Sequence, residues 1–158
     1  MKRRTFLLFS VLILFTKSFA KDSSEKDILI SVLNHLFPTT NKYSGSINFK
    51  AFKYLLFISK HPSFDTDDLK FLIKGAKKLY TKHNDFIQLS TRKKEEALRD
   101  FEKTDFGINW LSVLLYYGLE AMLGDPIYGG NKDMKGWKNI NHKAPVPMAK
   151  IPFGKEYV

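Results

Sequence analysis

The sequence predicts an all-α protein, about five helices in a compact bundle with an irregular Gly/Pro-rich C-terminal arm. Three observations carry that prediction. Between residues 25 and 123, apolar side chains recur at three- and four-residue spacing, the period of a helix with one buried face. Prolines, glycines and capping residues punctuate this pattern at helical rather than strand lengths. No alternating apolar–polar run, internal repeat or low-complexity tract interrupts it.

The first element in chain order is an address. MKRRTFLLFSVLILFTKSFA has a basic head at Lys2, Arg3 and Arg4, an apolar run from Phe6 to Phe15, and Ser18-Phe19-Ala20 where a signal peptidase needs small residues. The expectation is a signal peptide over 1–20, cleaved after Ala20, since the apolar run is short for a membrane span. The head resembles a twin-arginine signal, which Arg3, Arg4, Phe6 and Leu7 match. General secretory export is the competing route, and an uncleaved anchor the competing reading of the whole segment.

Cleavage changes the charge argument. The full chain of 158 residues carries a formal charge of +10, but residues 1–20 hold four of its 26 basic residues and none of its 16 acidic ones. The mature chain therefore has 22 basic against 16 acidic residues, a net of +6. Its lysines are spread over several helices without an arginine cluster or interleaved aromatics, which argues against nucleic acid as a partner. A hydrophobic content of 44% with 15% aromatics is ample for a core. The absence of cysteine excludes disulfides, thiolate metal sites, iron–sulfur clusters and a thiol nucleophile.

The body is expected over 21–123. Ile28, Leu29, Val32, Leu33, Leu36 and Phe37 define a first helix, about 25–36, with Ser24 and Asp27 as a capping box and Pro38 as the stop. After the loop TTNKYSGSIN, Asn48 caps a second, about 49–60, that ends before Pro62. Asp65 or Thr66 caps a third, about 67–83, with Leu69, Leu72, Ile73, Ala76, Leu79 and Tyr80 on one face. Gly75 inside it costs about 1 kcal/mol relative to alanine, which close helix packing can offset. Ser90 caps a fourth, about 91–102, whose inner positions are Ala97, Leu98 and Phe101. The fifth, about 105–123, is apolar nearly all round, the mark of a central helix or of one that meets a partner. Beyond Gly124, Pro126, Pro145, Pro147 and Pro152 exclude a long helix and favour an extended arm, 124–158, packed on the body or a partner.

The join between body and arm holds the most specific signal. GDPIYGGNKDMKGWKNI contains four of the nine glycines, and Glu120 lies one turn before it. GLEAMLGDPIYGGNKDMKGWKNI resembles the C-terminal signature of the gluconate 2-dehydrogenase subunit 3 family. The matching residues are Glu120, Asp125, Pro126, Tyr128, Gly129, Gly130, Asn131, Asp133, Gly136, Trp137 and Lys138. The resemblance implies a non-catalytic small subunit of a periplasmic, membrane-associated sugar or sugar-acid dehydrogenase. Such a subunit binds no cofactor itself. FAD is held by a large glucose–methanol–choline type subunit, electrons pass to a cytochrome c subunit or another acceptor, and the small subunit supports assembly, stability and export of the flavoprotein.

The same residues have readings of their own. Asp125 can cap a turn at Pro126, Gly129 and Gly130 permit positive φ and close backbone approach, and Asn131 and Asp133 can bond nearby amides. Tyr128 and Trp137 suit either an interface or a core. Glu120 is either an acceptor for the amides of Gly129 to Asn131 or a catalytic carboxylate of a periplasmic hydrolase, working with Asp125 or Asp133. A membrane-anchored helical scaffold that retains 1–20 is the third possibility. His35, His61, His83 and His142 show no metal-ligand spacing.

Overall fold

The structure is a computed structural model and describes residues 23–144. The expected signal segment, with Arg3, Arg4, Phe6, Leu7 and Ala20, and the prolines at 145, 147 and 152 lie outside the described residues. What is described is all-α: α1 Ser23–Leu36, α2 Ser46–Phe49, α3 Ala51–Ile58, α4 Thr66–Lys82, α5 Thr91–Glu102, α6 Asp105–Leu123 and α7 Lys135–Asn139.

These are seven α-helices rather than five, and each addition has a local cause. The expected second helix is split at Lys50, whose backbone is left-handed at φ 60° and ψ 45°. Asn48 does not precede that helix as its cap; it sits in α2, and its Oδ1 accepts from the Gly45 amide at 3.0 Å. The other addition is α7, a single short stretch within the arm. The expected Ser24–Asp27 capping box does not start α1: Ser24 already lies inside the helix, and its Oγ donates to Glu25 at 3.4 Å. At α4 and α5 the caps act as expected. Asp65 accepts from the Asp67 amide at 2.8 Å to start α4, and Ser90 accepts from that of Lys93 at 3.4 Å to start α5. Thr104, not singled out in the sequence, accepts from the Gly107 amide at 3.0 Å to start α6. Each satisfies an amide that the first turn leaves without a partner.

Helix α6 is central and packs against each of the other six helices. Its inner face, Trp110, Leu114, Tyr117 and Ala121, meets Ile28, Leu29, Val32 and Leu33 of α1, Leu72, Ala76 and Leu79 of α4, and Ala97, Leu98 and Phe101 of α5. On this side the expectation of a central helix is met. Ile108, Leu115, Leu119 and Leu123 are exposed along its outer face. Its length and composition would also allow it to cross a membrane, but here its inner face is core.

Gly75 shows why α4 accepts a poor helix former. Trp110 is fully buried and its Nε1 donates to the Leu72 carbonyl at 2.9 Å, so its ring lies across α4. A Cβ on residue 75 would sit 2.1 Å from that ring. Gly75→Ala should therefore destabilise the protein. Overpacking costs about 1–3 kcal/mol or more against the ~1 kcal/mol that alanine returns in helix propensity. A rise in melting temperature for this variant would show that Trp110 can move aside.

Candidate functional site

The signature begins where α6 ends, and a helix end leaves its last four carbonyls without intrahelical partners. The residues that follow pair with three of those four carbonyls, and with that of Gly124 beyond them. The Gly124 amide donates to the Glu120 carbonyl at 2.8 Å, and the Asn131 amide to the Ala121 carbonyl at 2.6 Å. Trp137 Nε1 donates to the Leu123 carbonyl at 2.7 Å, and Asn131 Nδ2 to the Gly124 carbonyl at 3.0 Å. The glycine-rich stretch is thus a composite cap folded over the C-terminal end of the central helix.

Its path follows from its residues. Asp125 Oδ1 accepts from the Ile127 amide at 3.0 Å, and Pro126 opens a 3-10 turn, Pro126–Tyr128. Gly129 reverses the chain at φ 86°, a backbone that side chains resist. Gly130 and Gly136 then lie against α6, where a Cβ would come within 2.6 Å of the Ala121 carbonyl oxygen and 1.9 Å of the Met122 carbonyl oxygen respectively. A second 3-10 turn, Lys132–Met134, leads into α7.

Asn131 is the centre of the cap. It is 0% exposed and left-handed at φ 43°, a conformation asparagine tolerates better than most residues. Its Oδ1 accepts from the amides of Gly136 at 2.9 Å and Trp137 at 3.4 Å, while its Nδ2 reaches back to α6. One side chain therefore joins the end of α6 to the start of α7. Trp137 is 5% exposed and packs inward, so of the two settings the sequence allows it occupies the intramolecular one. Beyond it, Asn139 exchanges two hydrogen bonds with the Ser44 backbone, at 3.0 and 2.8 Å, tying the cap to the loop before α2. Asp133 bonds no loop amide here; it pairs with Lys132 at 3.2 Å and Lys135 at 3.8 Å. Lys138 is exposed.

Glu120 is placed differently from either sequence reading. Asn131, not Glu120, serves the loop amides. The Glu120 side chain instead lines a groove of about 1020 Å³ between α3, the start of α4 and the outer flank of α6. Six rings line the same groove: Tyr54, Phe57, Phe64, Tyr116, Tyr117 and Tyr128. Tyr117 donates to Asp68 at 2.6 Å and Tyr116 to Glu120 at 3.4 Å. Burial first, then the Glu120 carboxylate, pushes the Tyr54 hydroxyl far above its ordinary range. Burial and the hydrogen bond to Asp68 do the same for Tyr117. These phenols are held as neutral donors beside carboxylates. Asp125 and Asp133 do not line this groove, and Asp133 lines a separate one with Lys50, Lys53 and Lys132. The structure does not bring the proposed hydrolytic carboxylates into one cleft.

The histidines are scattered. His35 bonds Glu95 at 2.7 Å, His61 bonds Ser63 at 2.6 Å, and His142 meets the Trp137 ring edge-on. Among the described residues, no group of three or more histidine, aspartate or glutamate side chains is placed to hold a metal ion.

Fold and site together define a small all-α protein built round one central helix, with its signature residues spent mostly on closing that helix. The chain belongs to the gluconate 2-dehydrogenase subunit 3 family, whose sequence model matches residues 23–144. The match spans the helical bundle together with the described part of the arm. The family's description makes the chain a subunit of a multi-subunit enzyme. Neither a curated protein nor a solved structure matches the chain.

Proposed function

We propose that this chain is the non-catalytic small subunit of a periplasmic, FAD-dependent gluconate or sugar dehydrogenase complex. It stabilises the flavoprotein subunit, assists its assembly and, through residues 1–20, its export. The large partner is of the glucose–methanol–choline type and holds the FAD; a cytochrome c subunit accepts the electrons and ties the complex to the inner membrane.

The observation that carries this reading is how the family signature is used. Asp125, Gly129, Gly130, Asn131, Gly136 and Trp137 close the end of α6. A signature spent on shape suits a subunit whose contribution is a surface, and the exposed apolar face of α6 is such a surface.

The test is co-purification. A tagged mature chain expressed with its operon should elute with a large subunit showing a flavin absorption spectrum, and should show no dehydrogenase turnover alone. Recovery of the chain as a free monomer from the same cells, with the flavoprotein fully active elsewhere, would overturn the reading.

A further inference from the structure

The groove that Glu120 lines meets the helix cap only at Gly124 and Tyr128, and its composition is specific. Six aromatic rings surround two carboxylates, Asp68 and Glu120, each receiving a tyrosine hydroxyl. Asp65 also lines it, against Lys60 and His61, so the groove is locally acidic in a chain whose formal charge is +10. Ring faces and carboxylates share one preferred guest, an organic cation. The rings attract it through their quadrupoles, and the carboxylates accept its N–H donors. Arginine fits this better than lysine, because a planar guanidinium can stack on a ring while it pairs with an acid.

The setting of the groove says what carries that cation. Tyr116 is 58% exposed and lies between the groove and the outer stripe of α6. Ile108, Leu115, Leu119 and Leu123 follow one another at seven- and four-residue steps, so they form a single apolar stripe. Gly124, which follows the last of them, lines the groove again. An acidic, aromatic pocket continuous with an exposed apolar stripe is what a protein interface with a buried basic anchor requires. A small free cation would have no use for the stripe.

We propose that this groove receives an arginine side chain of the large subunit, with the stripe on α6 covered by the same partner. This rests on the subunit reading above and adds the place and the chemistry of the contact.

The test compares three forms of the mature chain, each with the large subunit. Asp68→Asn combined with Glu120→Gln removes the charge and keeps shape and hydrogen-bond acceptors, while Asp133→Asn alters an acid outside the groove. The double variant should bind roughly thirty- to a thousandfold more weakly, the scale for removing one partner of a buried charge pair, and Asp133→Asn should bind as wild type. Equal affinity of all three would overturn the groove contact and leave the subunit reading standing. Failure of the wild type to bind any flavoprotein would overturn both. Should the double variant melt early, a photoreactive phenylalanine analogue at position 57 decides the matter. Crosslinking to a large-subunit segment bearing an arginine supports the contact; crosslinking to a segment without one, or none at all, overturns it.

Discussion

Asn131→Ala should lower the stability of the chain by about 3–5 kcal/mol, which in a domain of this size is a fall in melting temperature of roughly 10–20 °C. Truncation strands the Gly124 carbonyl and the Gly136 amide, both paired with the Asn131 side chain at 3.0 and 2.9 Å. Each buried group left unpaired costs about 1–3 kcal/mol. Alanine also resists the left-handed backbone there, by a further ~1 kcal/mol. A second variant separates these contributions. Asn131→Gly removes the backbone penalty and keeps the loss of hydrogen bonds, so it should remain within about 1 kcal/mol of the alanine variant. Wild-type stability for Asn131→Gly would mean that position 131 matters for its backbone angle alone. Thermal denaturation followed by circular dichroism at 222 nm distinguishes the outcomes.

The prominence of Asn131 also shows which features the sequence could carry. Helix starts were legible at Asp65 and Ser90 because capping is local: the acceptor lies within three residues of the amide it satisfies. The break at Lys50 was not, since a lysine held at φ 60° answers to tertiary packing and no local propensity announces it. Gly75 announced close packing but not its partner, Trp110, which is 35 positions away in the chain.

The site divides in the same way. The cap was legible as turn chemistry, because Asp-Pro, paired glycines and an asparagine act on neighbours in sequence. Its target was half legible: the signature follows directly on a long apolar helix, and a helix end always leaves carbonyls to satisfy. The groove was not legible at all. Tyr117 and the Asp68 it bonds are 49 residues apart, and neither Tyr54 nor Asp68 stands out by spacing or type. Glu120 did stand out, as an acid on an apolar helix, but sequence offered only the adjacent loop as its partner. The rings that surround it come from α3, from the loop before α4, from α6 itself and from the turn Pro126–Tyr128.

Trp137→Ala should produce the other large effect, about 3–5 kcal/mol, and its temperature dependence tests the subunit reading as well. The ring is 5% exposed, and its Nε1 donates to the Leu123 carbonyl, so truncation leaves a cavity and reopens the end of α6. Trp137→Phe keeps most of the volume and loses the donor, and should cost about 1–2 kcal/mol. Because the ring packs inside the chain, loss of the large subunit should follow unfolding and not precede it. At low temperature, where the alanine variant is still folded, it should hold the flavoprotein nearly as well as wild type. On warming, binding should fail along the same curve as the circular dichroism signal. On the subunit reading the chemistry belongs to the large subunit, so flavoprotein that remains assembled should turn over its substrate at the wild-type rate. A folded Trp137→Ala chain that bound no large subunit at any temperature would make the tryptophan a contact residue, and the cap would then be part of the interface itself.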